Sequence, residues 1–354
     1  MILKAKKNKI NLDIILEEEL LDLRICDLPI RIEGTWLEEC IDELYKELEN
    51  KGISFRPKCY LADEWLTPEG ETCIGIPFYL AHPSLMKLEK KFMLEVEGGI
   101  KQWCMKLLRH EAGHAISHAY KLHKRKIWQR LFGPSDKEYK DTYKYRPYSK
   151  NYVQHLDGYY AQYHPDEDFV ETFAVWLTPH LDWRMHYKGW GALKKIKYVD
   201  SLMDELSEKE TMVKSSNKYW SLSTLRSTLK NHYKRKRHSW EEEFPDFHDD
   251  FLRKNFADQT KENKKSIKAR DVIRKYRTSV LNSVSKYSGE KKYVINDFLK
   301  DIQKRSKELN LVSVQDDFVI AMNLSVYTSA LIMNYLYTGS FRGDKKKKKG
   351  KIDA

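Results

Sequence analysis

Two histidines and a glutamate carry the plainest chemistry in this chain. In His110-Glu111-Ala112-Gly113-His114 the imidazoles stand four residues apart, and residues four apart share one face of a helix. Two neutral imidazoles on one face can close on a single zinc ion, while Glu111, one step round the helix, can work on a water beside it. The competing reading is a pair of hydrogen-bonded histidines in an apolar core, against which the intact Glu111 counts.

These residues need a helix under them, and the surrounding sequence predicts one. No proline lies between Pro83 and Pro134, and Gly98-Gly99 offers a break before the run Ile100 to His123. Trp103, Leu107, His110, His114 and His118 follow at spacings of 4, 3, 4 and 4, one continuous helical stripe that turns the histidines inward. Gly113 is a poor helix former and is tolerable where a neighbouring segment packs closely against it.

A catalytic zinc site takes three protein ligands and leaves a fourth position open. Ser117 and Tyr120 stand where the metzincin pattern needs Gly and His, which excludes that pattern. A carboxylate from a second helix is the alternative, and the run His164 to Leu177 supplies candidates. Pro165 suits a first helical position and Pro179 stops the run. Glu167, Val170, Ala174 and Leu177 lie on one stripe, with Glu171 one turn beyond Glu167. Asp166 aligns equally with Phe169 and Phe173, so spacing leaves Glu167 and Asp166 both open. Acids in a first turn also simply complement the helix dipole, a role open to Asp166, Glu167 and Asp168 alike.

The pairing of Arg109-His110-Glu111-Ala112-Gly113-His114-Ala115 with Tyr160-Ala161-Gln162-Tyr163-His164-Pro165-Asp166-Glu167-Asp168-Phe169-Val170-Glu171-Thr172-Phe173-Ala174 resembles a zinc-binding metallopeptidase family of bacteria, a gluzincin-like group. Asp63-Glu64-Trp65, the run Ile74 to Pro83, Val153 to Asp157 and Tyr198-Val199-Asp200 are similar to it as well. The likeness is dense from about residue 55 to 203 and weaker beyond. It implies an α+β gluzincin-like domain with a small edge sheet and the HExxH helix. It further implies Zn2+ held by His110, His114 and Glu167, with Glu171 as a supporting neighbour and Glu111 as general base. Tyr160, seven residues before Glu167, falls where the family has a Tyr and where related enzymes place an oxyanion donor; in this Tyr-rich stretch it is equally open to a packing role. His118, one turn past His114, reads as supporting the site or packing in the core rather than as a ligand. The family's substrate does not carry over.

Ile53 to Tyr60 and Cys73 to Leu80 predict strands flanking a Pro68-Glu69-Gly70 turn, a hairpin beside the HExxH helix. Gluzincin-like folds use such an edge for extended substrates, which assigns Gly75, Ile76 and Phe78 to substrate binding. Pro77 suits an edge strand.

Composition bounds the rest. The 354 residues can hold two domains with real cores. A mean hydropathy of -0.70 and 33% charged residues predict a soluble protein. Cys26, Cys40, Cys59, Cys73 and Cys104 form no CxxC pair and are odd in number, which suits free thiols in a reducing cytosol. Lys4, Lys6, Lys7 and Lys9 are followed by no apolar run, so no secretory signal is expected and the cytoplasm is the default. Residues 201–354 carry 33 Lys and Arg against 21 Asp and Glu, while residues 1–200 carry 31 of each. The expected division is a helical lead-in over 1–52, with Thr35 to Asn50 amphipathic, and a catalytic domain over 53–205. A basic helical region over 206–342 and a disordered Lys-rich tail over 343–354 follow.

In that basic half, His232 to His238 runs directly into Glu241-Glu242-Glu243 and Asp246 to Asp250. A basic run meeting an acidic one reads as a solvated connector or as internal pairing rather than a nucleic-acid patch. Phe318 to Thr338 has no formal charge over 21 residues, a length that invites a membrane span. Asn323, Ser325, Thr328, Ser329 and Asn334, with a Ser313-x-x-Asp316 capping box, predict a buried helix instead.

The expectation is therefore a zinc-dependent hydrolase acting on peptide or related amide bonds of a peptide or protein substrate. The alternatives are a regulatory or binding protein with a structural or degenerate zinc site, and a nucleic-acid-associated factor built on the basic half. A structural site would be closed by four protein ligands, and nucleic-acid binding would weaken steeply with salt.

Overall fold

In the computed structural model, which describes residues 10–139, 145–207, 209–236 and 247–338, helices dominate and the strands form two small sheets, an α+β composition. Among these residues, 10–139, 145–207 and 209–236 form one compact unit and 247–338 a second. The runs Lys4–Lys9, Glu241–Glu243 and the tail 343–354 lie outside the described residues.

In the first unit the lead-in is helical. After α1 (Glu17–Asp22), Thr35 caps α2 (Trp36–Asn50) by accepting from the Leu37 backbone N–H. Leu37, Cys40, Ile41, Leu44 and Leu48 form the buried stripe of α2, as its amphipathic pattern predicts. Strands β1 (Lys58–Ala62) and β2 (Cys73–Pro77) follow, then α3 (Pro83–Met93), α4 (Lys101–Ala119) and α5 (Lys126–Phe132). Next come α6 (Pro165–Leu177), α7 (Trp183–His186), α8 (Ala192–Leu206) and α9 (Leu229–Lys236).

Helix α4 runs through the centre, with most of its residues buried. On one side α2 packs against it, fastened by the Arg109 guanidinium, which donates to both carboxylate oxygens of Glu47 at 2.7 and 2.6 Å inside the protein. On the other side lies α6, whose first turn is capped by the His164 ring and whose Pro165 occupies a first-turn position. Trp176 on α6 donates to Asp200 on α8, and Trp128, Phe132 and Phe169 pack α5 onto α6.

The predicted hairpin is not formed. Strands β1 and β2 run parallel, with Tyr60 opposite Gly75, and Leu66 pairs antiparallel with Gly75 on the other side of β2. The Pro68-Glu69-Gly70 turn itself is formed, with the Glu71 N–H on the Pro68 carbonyl at 3.0 Å, but it lays Leu66 rather than β1 antiparallel to β2, and the ten residues between the strands make a crossover. Gly75 is squeezed between its neighbours: a Cβ there would lie 2.4 Å from Leu66 Cδ2 and 2.8 Å from Ala62 Cβ.

The first unit also reaches past the expected boundary at 205/206. Met212 and Val213 both donate to the Ala119 carbonyl, Thr72 N–H to Ser215, Asp63 N–H to Trp220 and Ile25 N–H to Ser227. This returning segment thus pairs with chain as early as Leu23, whose carbonyl accepts from the Leu229 N–H, which binds residues 209–236 to the first unit. On α9, two residues of the basic run meet acids from earlier in the chain: His232 lies 3.2 Å from Asp63 and Lys236 2.8 Å from Glu89.

The second unit comprises α10 (Asp249–Asn255), the two-residue strands β3 (Ala257–Asp258) and β4 (Leu311–Val312), and α11 (Ala269–Ser288), α12 (Lys292–Glu308) and α13 (Asp317–Thr338). Arg305 on α12 clasps both carboxylate oxygens of Asp249 on α10. Helix α13 departs from the expectation twice. Its cap is Asp316, which accepts from Phe318 and Val319 N–H, while the Ser313 hydroxyl donates to the Gln315 carbonyl. It is also buried on one face only: Ile320, Leu324, Thr328 and Ile332 are inside, whereas Phe318 is 64% exposed and Val326 68%. Among the described residues it is the one helix long and apolar enough to cross a membrane. Its 3.6-residue period places apolar side chains all round, and the second unit covers only one stripe of them.

Candidate metal centre and cleft

The site is made by the close crossing of α4 and α6. Gly113 allows it: a Cβ there would sit 3.1 Å from Phe173 Cδ1 and 3.2 Å from the Val170 Cα, backbone that cannot give way cheaply. The crossing brings Glu167 between the two histidines. Glu167 Oε2 lies 3.2 Å from His110 Nε2 and 3.4 Å from His114 Nε2, and the three ligand atoms all fall within 4.8 Å of one another.

These distances suit a metal ion as well as a direct ion pair. A tetrahedral zinc with arms of about 2.0–2.1 Å separates neighbouring ligand atoms by about 3.3–3.4 Å. Glu167 Oε2 is buried and, although near both rings, has no aligned hydrogen-bond partner. An orphaned carboxylate oxygen facing two imidazole nitrogens at that spacing fits a metal ion with nitrogen and oxygen ligands.

The rings are held from behind. Glu171 Oε1 accepts from His110 Nδ1 at 2.8 Å, which leaves Nε2 free for a metal, and Glu171 Oε2 accepts from the Leu156 N–H at 2.8 Å. Leu156 is itself positioned by its neighbour: His155 Nε2 meets the Lys106 carbonyl at 2.9 Å, and the Lys106 ammonium donates to the His155 carbonyl. Burial pushes the His155 pKa down to about 4, so this strut stays neutral. His118 is not among the three ligands. Its Nδ1 meets the Glu71 carbonyl at 2.9 Å, and burial lowers its pKa to about 4.

Electrostatics at the centre are strongly coupled. Burial works against charge on Glu167, but His114 and His110 outweigh it and hold the carboxyl well below the usual range. Burial likewise opposes a charged His110, yet Glu167 and Glu171 raise that ring well above its ordinary value. Burial pushes the Glu111 carboxyl up, with His110 and His114 opposing it, and Glu111 Oε2 has no hydrogen-bond partner. A metal entering here must displace protons from the histidines, so its affinity falls with falling pH.

His110, His114, Glu111 and Glu167 open onto a cleft of about 850 Å³. Tyr160 lines it, with its ring centroid 5.6 Å from that of His110. A left-handed pair, Gly158 at φ 75 and Tyr159 at φ 57, turns the chain just before Tyr160. Left-handed φ at a non-glycine residue is strained, and such strain recurs where a side chain must be aimed. Burial raises the Tyr160 phenol further above its ordinary value, so it stays a hydrogen-bond donor.

Gly75, Ile76 and Phe78, expected to bind substrate, do not line the cleft; all three are buried, and Gly75 is paired to Leu66. The crossover that replaces the hairpin puts Trp65, Leu66 and Thr67 at the cleft wall instead, and the Thr67 hydroxyl donates to the Glu111 carbonyl at 3.1 Å. Asp166 lines the cleft beside His164, outside the ligand group. Asp168 does not serve the helix end: it is buried against the Lys195 ammonium on α8. Sequence reasoning missed Tyr139, whose hydroxyl donates to Glu167 Oε1 at 3.1 Å. It comes from a loop with no periodicity, so nothing in the local pattern marks it.

No protein-family model, curated protein or solved structure matches the chain. The metallopeptidase likeness is therefore a proposal that rests on the motif residues and their geometry.

Proposed function

We propose that the chain is a zinc-dependent hydrolase of peptide or related amide bonds. The observation that carries this reading is a three-residue ligand group, His110, His114 and Glu167, open to a cleft that also receives Glu111, whose Oε2 has no hydrogen-bond partner. A purely structural zinc would be enclosed by four protein ligands and would have no use for Glu111. Zn2+ held by the three residues would polarise the scissile carbonyl and acidify water at the open position.

The remaining work falls to side chains. Glu111 takes the proton of the attacking water and passes it to the leaving amine, a role suited to a buried carboxyl with a raised pKa. Tyr160 donates to the oxyanion that develops on the substrate carbonyl. Glu171 keeps His110 in the tautomer with Nε2 toward the metal. The cleft wall at Trp65 to Thr67 receives the substrate chain.

Metal analysis and trapping test this. The purified protein should carry about one zinc per chain, and His114→Ala should lose it. Glu111→Gln should keep the zinc, abolish hydrolysis and leave an uncleaved species bound, whose identification names the substrate. Full zinc retention by His114→Ala sinks the assignment.

A further inference from the structure

We infer that Tyr139 is a positioning residue that makes Glu167 a one-oxygen ligand; this rests on the metal-site reading proposed above. Tyr139 donates to Glu167 Oε1 at 3.1 Å, while Oε2 of the same carboxylate faces His110 and His114 at 3.2 and 3.4 Å. A carboxylate with both oxygens free can chelate an ion and raise its coordination number. With Oε1 engaged by the phenol, only Oε2 is offered. The centre then keeps three protein ligands and an open fourth position on the cleft side.

The phenol is held firmly enough for this. Its ring stacks face to face on His164, with centroids 3.8 Å apart and 16° between planes, and meets Tyr163 edge-on at 5.5 Å. His164 is fixed through both ring nitrogens. Nδ1 accepts from the Asp166 N–H at 3.2 Å, so Nε2 carries the proton and donates to the Lys137 carbonyl at 2.6 Å. The ring that caps α6 therefore also pins residues 137–139 against the start of α6, one turn from Glu167. At 47% exposure Tyr139 still lines the cleft, so it stands at the boundary between the ligand and whatever enters.

A packing role would need only the ring; the inference needs the hydroxyl. Tyr139→Phe in the full chain separates the two, since it keeps the stack on His164. Zn2+ and Co2+ affinities are measured by competition with a chromophoric chelator, and the visible spectrum of the Co2+-loaded protein reports coordination number. The wild type should show the intense absorption of four-coordinate cobalt. Tyr139→Phe should bind either metal on the order of 10–100-fold more weakly and show the fainter spectrum of a higher-coordinate ion, with the melting temperature of the metal-free protein unchanged. Wild-type affinity and spectrum in Tyr139→Phe overturn the inference, including the case where Tyr139→Ala alone is impaired, which reduces Tyr139 to packing. If the wild type takes up neither metal, the reading of the centre itself falls, an outcome distinct from the first.

Discussion

At the scale of single residues, four acids crowd the first two turns of α6, and their surroundings separate them. Glu167 faces the histidines, Glu171 backs His110, Asp166 sits beside the His164 ring, and Asp168 is buried against Lys195. Zinc titrations of single variants should rank them accordingly. Glu167→Ala should behave like His114→Ala and lose tight binding. Glu171→Ala should cost on the order of 10–100-fold, as loss of a partner behind a ligand does. Asp166→Asn should be nearly silent. If Asp166→Asn were the most damaging, α6 would be rotated relative to this geometry. Helical spacing left Asp166 and Glu167 equivalent because both head apolar stripes; which stripe meets α4 is a property of the packed pair.

At the scale of elements, the site depends on how closely α4 and α6 approach, and Gly113 sets that distance. Gly113→Ala would favour an isolated helix, by about 1 kcal/mol. Here the added methyl meets Val170 Cα at 3.2 Å, so overpacking should win and destabilise the fold by about 1–3 kcal/mol. Because α6 must shift to relieve it, zinc affinity should fall with the melting temperature. A variant that melts higher and binds zinc as the wild type does would show that the crossing has slack. The helices themselves were legible from Pro165, the Trp103 to His118 stripe and the gap between prolines. The strand pair was not: the apolar runs Ile53–Tyr60 and Cys73–Leu80 only partly overlap the strands Lys58–Ala62 and Cys73–Pro77, and they do not specify direction. Parallel pairing followed from the Leu66 return along β2.

At the scale of the whole chain, two units share the sequence, and the second has its own acid-sensitive group. His248 at the start of α10 meets the Tyr327 hydroxyl at 3.0 Å and packs edge-on against Phe298. Burial lowers its pKa from 6.5 to about 4. With the folded value below the unfolded one, its contribution is complete above pH 6.5 and is lost as pH falls from 6.5 through 4. That window amounts to about 3 kcal/mol at 1.36 kcal/mol per unit. Denaturant titrations at pH 7 and pH 4.5 should show this loss for the wild type and a smaller one for His248→Asn. Equal losses in both would assign the acid sensitivity elsewhere. The charge imbalance in the sequence places a basic half after residue 200, whereas the compact units divide after 236, because residues 209–236 pair with early chain that composition does not reveal.

What the sequence determined by itself is local. His110 and His114 share a face because helical geometry puts residues four apart together, and Thr35 and Pro165 mark helix starts through their own backbone chemistry. The apolar stripes of α2 and α4 follow from period alone. Tertiary structure decided what depends on partners far along the chain. It chose Glu167 over Asp166, brought Tyr139 to the ligand from an aperiodic loop, moved the cleft wall from Gly75 to Trp65–Thr67, and left one apolar face of α13 exposed. Each of these is set by which surfaces meet, and a periodic pattern names a surface without naming what covers it.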